Sequence, residues 1–146
     1  MREGRQGKFF NKKKYIGKEL PTFEKVKDHI PIPIYDEKEG FIKLYWRSWE
    51  LAFKNMYQPS PESGFVSNYF DAAFSDNIFL WDTSFITIFG RYIHHIFPAI
   101  ESLDNFYVKQ HETGEICREI SRYTGKDYWV NTKGDPNQEK YLYPDK

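Results

Sequence analysis

The stretch Trp81-Asp82-Thr83-Ser84-Phe85-Ile86-Thr87-Ile88-Phe89-Gly90-Arg91-Tyr92-Ile93-His94-His95-Ile96-Phe97-Pro98 decides the fold class. Trp81, Phe85, Ile88, Phe89, Tyr92, Ile93 and Ile96 recur at three- and four-residue spacing, which puts them on one broad apolar face of a helix. Asp82 or Thr83 stands where a side-chain oxygen can accept a bond from a free first-turn amide. Pro98 suits the first turn of a further helix with the face Ile100, Leu103, Phe106, Tyr107 and Gln110, closed by Thr113-Gly114. So short a link predicts an antiparallel αα-hairpin.

Upstream, Phe41, Leu44, Tyr45, Ser48, Trp49, Ala52, Phe53 and Met56 predict an amphipathic helix over 40–57, ended by Pro59 and Pro61. Residues 1–39 read as a basic, extended lead-in, because Pro31 and Pro33 remove donors and push their predecessors out of the helical region. The segment from Gln58 to Leu80 has turn residues at both ends, with Gly64 to Phe70 as a short strand or an ordered loop. Glu115 to Ile120 alternates polar and apolar groups, as a half-buried extended strip does. Beyond it Tyr128, Trp129, Tyr141 and Tyr143 fall among glycines and prolines, and no helix is expected.

Composition limits the function. Leu, Ile, Val and Phe make 36 of 146 residues, above the roughly 20% below which chains tend to stay disordered. With 13 Phe, 11 Tyr and 4 Trp, much of any core or binding surface must be ring faces. The formal charge is zero, from 21 basic and 21 acidic residues, which argues against a dedicated nucleic-acid binder. That balance hides a basic arm: residues 1–27 hold nine Lys and Arg against three Glu. No apolar run is long enough for a transmembrane helix. Phe9-Phe10 runs into Asn11 and lysines where a signal peptide needs an apolar stretch, so the expected compartment is cytoplasmic. The single cysteine, Cys117, implies no internal disulfide.

Several residues could carry chemistry. Trp81-Asp82 joins a ring that can stack on a pyranose to a carboxylate that accepts hydroxyl donors; the plainer alternative makes Trp81 core and Asp82 a helix cap. Asp71, Asp76, Asp82, Glu115 and Glu119 supply carboxylates, but no pair has a telling spacing for acid–base work. His94 and His95 are adjacent, so on a helix they point about 100° apart. No metal site is read from them with His111 and Cys117, nor a Cys117–His111 nucleophile pair. No glycine-rich phosphate loop is present.

Taken together, Ser63-Gly64-Phe65-Val66-Ser67-Asn68-Tyr69, Phe79-Leu80-Trp81-Asp82-Thr83-Ser84-Phe85, Ser102 to Gln110 and Gly114-Glu115-Ile116-Cys117-Arg118-Glu119-Ile120 resemble the opening of a bacterial six-hairpin (α/α)6-barrel glycoside hydrolase. The similarity is to glycoside hydrolase family 63 and the related trehalase and mannosylglycerate hydrolase group. It implies a mainly α fold: helical hairpins forming the first part of an (α/α)6 toroid over 40–146, after the lead-in. By resemblance Trp81, Asp82 and Gln110 help form the sugar pocket, with Arg118 and Glu119 beside it. Cys117 stands where the family often has Pro. The implied reaction is hydrolysis of an α-glycosidic bond with inversion, by an acid and a base expected downstream of this chain. The chain is then a glycosidase fragment with a carbohydrate substrate, no cofactor, and self-association through helices left uncovered. The alternative is a non-catalytic carbohydrate-binding or protein-interaction helical module.

Overall fold

A computed structural model describes residues 13–72, 74–111 and 114–128. The basic arm before Lys13 and the aromatic tail from Trp129 lie outside the described residues. Four helices and two small sheets follow in order: α1 Phe23–Val26, α2 Glu39–Lys54, β1 Met56–Tyr57, β2 Tyr69–Phe70, β3 Asn77–Phe79, α3 Leu80–Gly90, α4 Ala99–Tyr107 and β4 Glu119–Ser121. Short 3-10 turns extend α1 through Lys27–His29 and α3 through Arg91–Ile93.

The mainly α class, with its toroid of helical hairpins, is overturned: this is a mixed α/β chain. β1 pairs antiparallel with β2, Met56 opposite Phe70 and Tyr57 opposite Tyr69. β3 pairs antiparallel with β4, Asn77 opposite Ser121, Ile78 opposite Ile120 and Phe79 opposite Glu119. Strands of two and three residues are too short to show a period in sequence, and their partners lie far along the chain. The 40–57 helix is present but stops at Lys54, because its last expected residues pair as β1.

The two central helices bury only part of the face their apolar spacing predicts: Phe106 on α4 and Ile93 in the 3-10 extension of α3 are fully buried, while small and polar residues take the rest of the inward side. In α3 the buried residues are Thr83 and Gly90, while Trp81, Phe85, Ile88 and Phe89, and Tyr92 in the 3-10 extension, are exposed. In α4 the buried residues are Ala99, Ser102, Asn105 and Phe106, while Ile100 and Tyr107 are exposed. A close approach explains part of this. A Cβ on Gly90 would lie 2.2 Å from Ala99 Cβ, so α3 and α4 meet through their small residues. The link between them spans residues 91–98, not the one or two residues expected.

Hydrogen bonding explains the rest. The loop before β2 has backbone groups without ladder partners, and buried amides need them. Asn105 Oδ1 accepts from the amides of Val66 at 2.9 Å and Ser67 at 3.1 Å, and its Nδ2 donates to Ser67 O at 3.0 Å. Ser102 Oγ accepts from the Phe70 amide at 2.9 Å. The polar stripe of α4 therefore turns inward to hold this loop.

Two cores result. Trp49, Phe53, Phe70, Ile93 and Phe97 centre the first, with Leu20, Phe23 and Val26 of the lead-in packed on it. Its rings meet mostly edge-on or tilted, as Trp49 and Phe97 do at 5.7 Å. Residues 13–39 are thus docked onto the body, not a free leader. Phe65, Tyr69, Ile78, Phe106, Cys117 and Ile120 form the second core, which joins the 63–70 loop to both strands of the β3–β4 ribbon.

What stays outside has a consequence. Phe85, Ile88 and Tyr92 on α3, with Phe41 and Leu44 on α2, make exposed apolar surface of the kind that drives association. The full chain is expected to run as oligomers by size exclusion with light scattering, and Phe85→Glu with Ile88→Lys to shift it to monomer. A monodisperse wild-type monomer at high concentration would count against this reading. Among the described residues no helix is long and apolar enough to cross a membrane.

Candidate functional site

The β3–β4 ribbon leads the chain into α3. Phe79, the residue before the helix, is extended and makes no side-chain capping bond, and the first helical amide, Leu80, donates to Arg118 O at 2.8 Å. α3 therefore starts before Asp82 and Thr83, which lie within it as non-capping residues. Asp82 retains one favourable structural effect, a negative charge in the first turn of a helix.

Trp81 is 73% exposed. Its ring contact is with Phe85 one turn on, centroids 5.2 Å apart and tilted by 54°. The two rings form an outward aromatic step. Asp82 is half-buried beside it, and among the described residues no hydrogen bond or ion pair engages its carboxylate. Both parts of the plain alternative fail here: the indole is not core and the carboxylate is not a cap.

The ribbon also brings Arg118 and Glu119 to this end of α3, since Glu119 sits opposite Phe79 and Arg118 O takes the Leu80 amide. Their side chains differ. Arg118 is exposed. Glu119 is buried, and its Oε1 accepts from Asn77 Nδ2 at 2.9 Å across the ribbon. Burial pushes the Glu119 carboxyl up, opposed by the Asn77 hydrogen bond and by the Arg118 charge. Gln110 is turned to its own loop, Nε2 donating to Gly114 O at 2.7 Å. Trp81, Asp82, Arg118 and Glu119 are thus neighbours through the backbone, and no side-chain hydrogen bond among the described residues adds Gln110 to them.

The other carboxylates have structural work. Arg122 lies 3.5 Å from Asp71 and 3.3 Å from Asp76, with its guanidinium over the Tyr57 and Tyr123 rings. Asp127 pairs with His111 at 2.6 Å. The Cys117 thiol donates to Glu119 O. The His94 and His95 rings stand at 84° to each other, and no group of three or more metal-ligating side chains occurs among the described residues.

Sequence reasoning missed Asn105 and Lys109. A polar residue beside Phe106 on a short helix gave Asn105 a readable signal, since an amide there must either face solvent or hold backbone. Lys109 is 6% exposed, with its ammonium 5.9 Å from the Phe65 ring centre. Burial pulls its pKa down, and the Asp127 charge opposes that. Nothing in its spacing marked it as buried. Comparison with protein-family models, with curated proteins and with solved structures returns no match for this chain.

Proposed function

We propose that the start of α3 and the adjoining ribbon bind the sugar of an α-glycoside, and that the chain carries part of the pocket of an inverting glycoside hydrolase. The observation that carries the reading is Trp81-Asp82: an exposed indole stepped against Phe85, beside a carboxylate that no described residue engages. The ring face suits the C–H face of a pyranose, and the acceptor-only carboxylate suits two of its hydroxyls. Arg118, the residue before β4, lies at the same end through its backbone carbonyl, which takes the Leu80 amide. The apolar faces that α2 and α3 turn outward support a fragment whose catalytic acid and base, and covering segments, belong to further chain. Carboxylates suffice for the chemistry, so no cofactor is invoked.

The test is a titration with methyl α-glucoside, methyl α-mannoside and trehalose, followed by tryptophan fluorescence and by product release. Saturable quenching without turnover is expected. Asp82→Asn and Trp81→Ala should each weaken binding by about tenfold, as loss of a charge-assisted bond or of the platform does. Equal binding by all three chains would sink the reading. Turnover by this chain alone would place the acid and base within it.

One observation favours a second reading, a protein-interaction module. Between the Pro31-Ile32-Pro33 segment, α2 and α3 runs an apolar groove of about 610 Å³, lined by Phe41, Leu44, Trp49, Phe89 and Tyr92 among others. Under that reading sugars bind nowhere at Trp81, and Leu44→Lys abolishes partner capture while leaving the fold intact.

A further inference from the structure

The groove between the Pro31–Pro33 segment, α2 and α3 has the dimensions of a small-molecule site: about 610 Å³, within the roughly 300–1,000 Å³ such sites occupy. Trp49 is the buried residue of its lining and so lies deepest, with the Phe89 ring meeting it edge-on at 5.3 Å. Leu44 and Phe41 of α2 and Tyr92 of the 3-10 extension line it nearer the surface. The Pro31-Ile32-Pro33 segment is held in place by the Tyr45 hydroxyl, which donates to Pro31 O.

This lining selects against hydrogen-bonding ligands. No charged residue contributes to it, and two of the three residues in the Pro31–Pro33 segment have no amide proton to donate. An extended peptide laid here would leave its own amides and carbonyls without partners, which is costly away from water. A hydrocarbon chain has no such groups to satisfy.

The rim supplies a charge. Arg91 Nη2 lies 3.4 Å from the hydroxyl of Tyr92, and the guanidinium stands 5.2 Å from the centre of that ring. Arg91 is exposed, and no carboxylate among the described residues pairs with it. The cations of the adjoining helix differ: Lys43 pairs with Glu39, and Arg47 with Glu50. One cation without a counter-charge beside an uncharged apolar groove complements a ligand with an alkyl body and an anionic end. The planar guanidinium fork suits a carboxylate in particular.

We propose that the groove binds a free fatty acid, with its alkyl chain against Trp49, Leu44 and Phe89 and its carboxylate on Arg91. The inference goes beyond the sugar reading and uses none of its residues, and it gives the groove a small ligand in place of a protein partner.

The experiment is calorimetric titration of the full chain with octanoate, decanoate and dodecanoate below their micelle concentrations, with decan-1-ol and decylammonium as controls. Saturable binding of one carboxylate per chain is expected, tightening about fourfold per added methylene. Decanoate should bind about tenfold tighter than decanol, and decylammonium weakest. Arg91→Gln should bring decanoate down to the affinity of decanol and leave decanol unchanged, a pattern that damage to the fold does not produce. Leu44→Asn should weaken both. The proposal is overturned by an absence of saturable decanoate binding, by equal binding of decanoate and decylammonium, or by an Arg91→Gln chain that binds decanoate as the wild type does. Decanoate binding by the Phe85→Glu, Ile88→Lys chain but not by the wild type would also overturn it, and would assign the groove to a second copy. Adsorption to phosphatidylglycerol vesicles without decanoate binding would assign it to a membrane surface instead. Each of these results leaves the sugar titration at Trp81-Asp82 to be decided by its own variants.

Discussion

Replacing Asn105 by Ala is expected to remove about 3–5 kcal/mol of folding stability. The side chain is fully buried and satisfies three backbone groups of the 66–67 segment. Alanine leaves two amides and one carbonyl without partners, in a place water does not reach, and each orphan costs about 1–3 kcal/mol. Partial relaxation of the loop keeps the total below the sum. Domains of this size are stable by only about 5–15 kcal/mol, so the variant should be unfolded or nearly so at modest urea. The measurement is the urea midpoint of the full chain by far-ultraviolet circular dichroism. A loss under about 1 kcal/mol would show that the loop does not depend on this clamp, and the account of why α4 turns its polar stripe inward would fail with it.

Replacing Gly125 by Ala is expected to cost about 3 kcal/mol or more, from two sources that a control separates. The first is backbone conformation: Gly125 has φ +64°, a region where a side chain is strained by about 1 kcal/mol. The second is space. A Cβ there would lie 1.9 Å from Ser63 O and 2.7 Å from Lys109 Nζ. The lysine end could yield, but the carbonyl cannot easily do so. Ser63 is fully buried, and its hydroxyl both donates to Ser60 O and accepts from the Phe65 amide, so moving it displaces the turn that starts the clamped loop. Gly114 has φ +92° with nothing within 4 Å of its Cβ position, so Gly114→Ala carries the conformational cost alone. The two variants should therefore differ by about 2 kcal/mol in thermal or urea unfolding. Equal losses would mean that the contact with Ser63 is not maintained in solution.

These sites show where sequence reading works and where it stops. The helix over 40–57 was legible because Trp49, Ala52 and Phe53 both keep the 3.6-residue period and bury the face it marks. The extended 115–120 strip was legible only at its end: β4 begins at Glu119, and the buried residues Cys117, Glu119 and Ile120 do not follow a period of two. The candidate site was half legible. Trp81 and Asp82 were named from the chain and Arg118 and Glu119 joined them only by the family resemblance, and the Phe79–Glu119 pairing is what makes the four neighbours. Gln110 was named as well, but its amide is occupied by Gly114 O.

The sequence by itself determined the longer helices α2, α3 and α4, though not α1 at Phe23–Val26 inside the lead-in read as extended; it also determined that rings supply the cores and that Pro31 and Pro33 break the chain before α2. These follow from local sterics and composition, which act without knowledge of distant residues. Only the tertiary structure decided how the faces of α3 and α4 divide between inside and outside. Apolar spacing put Phe85, Ile88 and Tyr92 inside, yet Gly90 and Ala99 allow the closest approach of α3 and α4, and Ser102 and Asn105 hold backbone that has no other partner. The two small sheets were decided at the same level, because strands of two or three residues form only when a remote segment of the chain supplies the other side of the ladder.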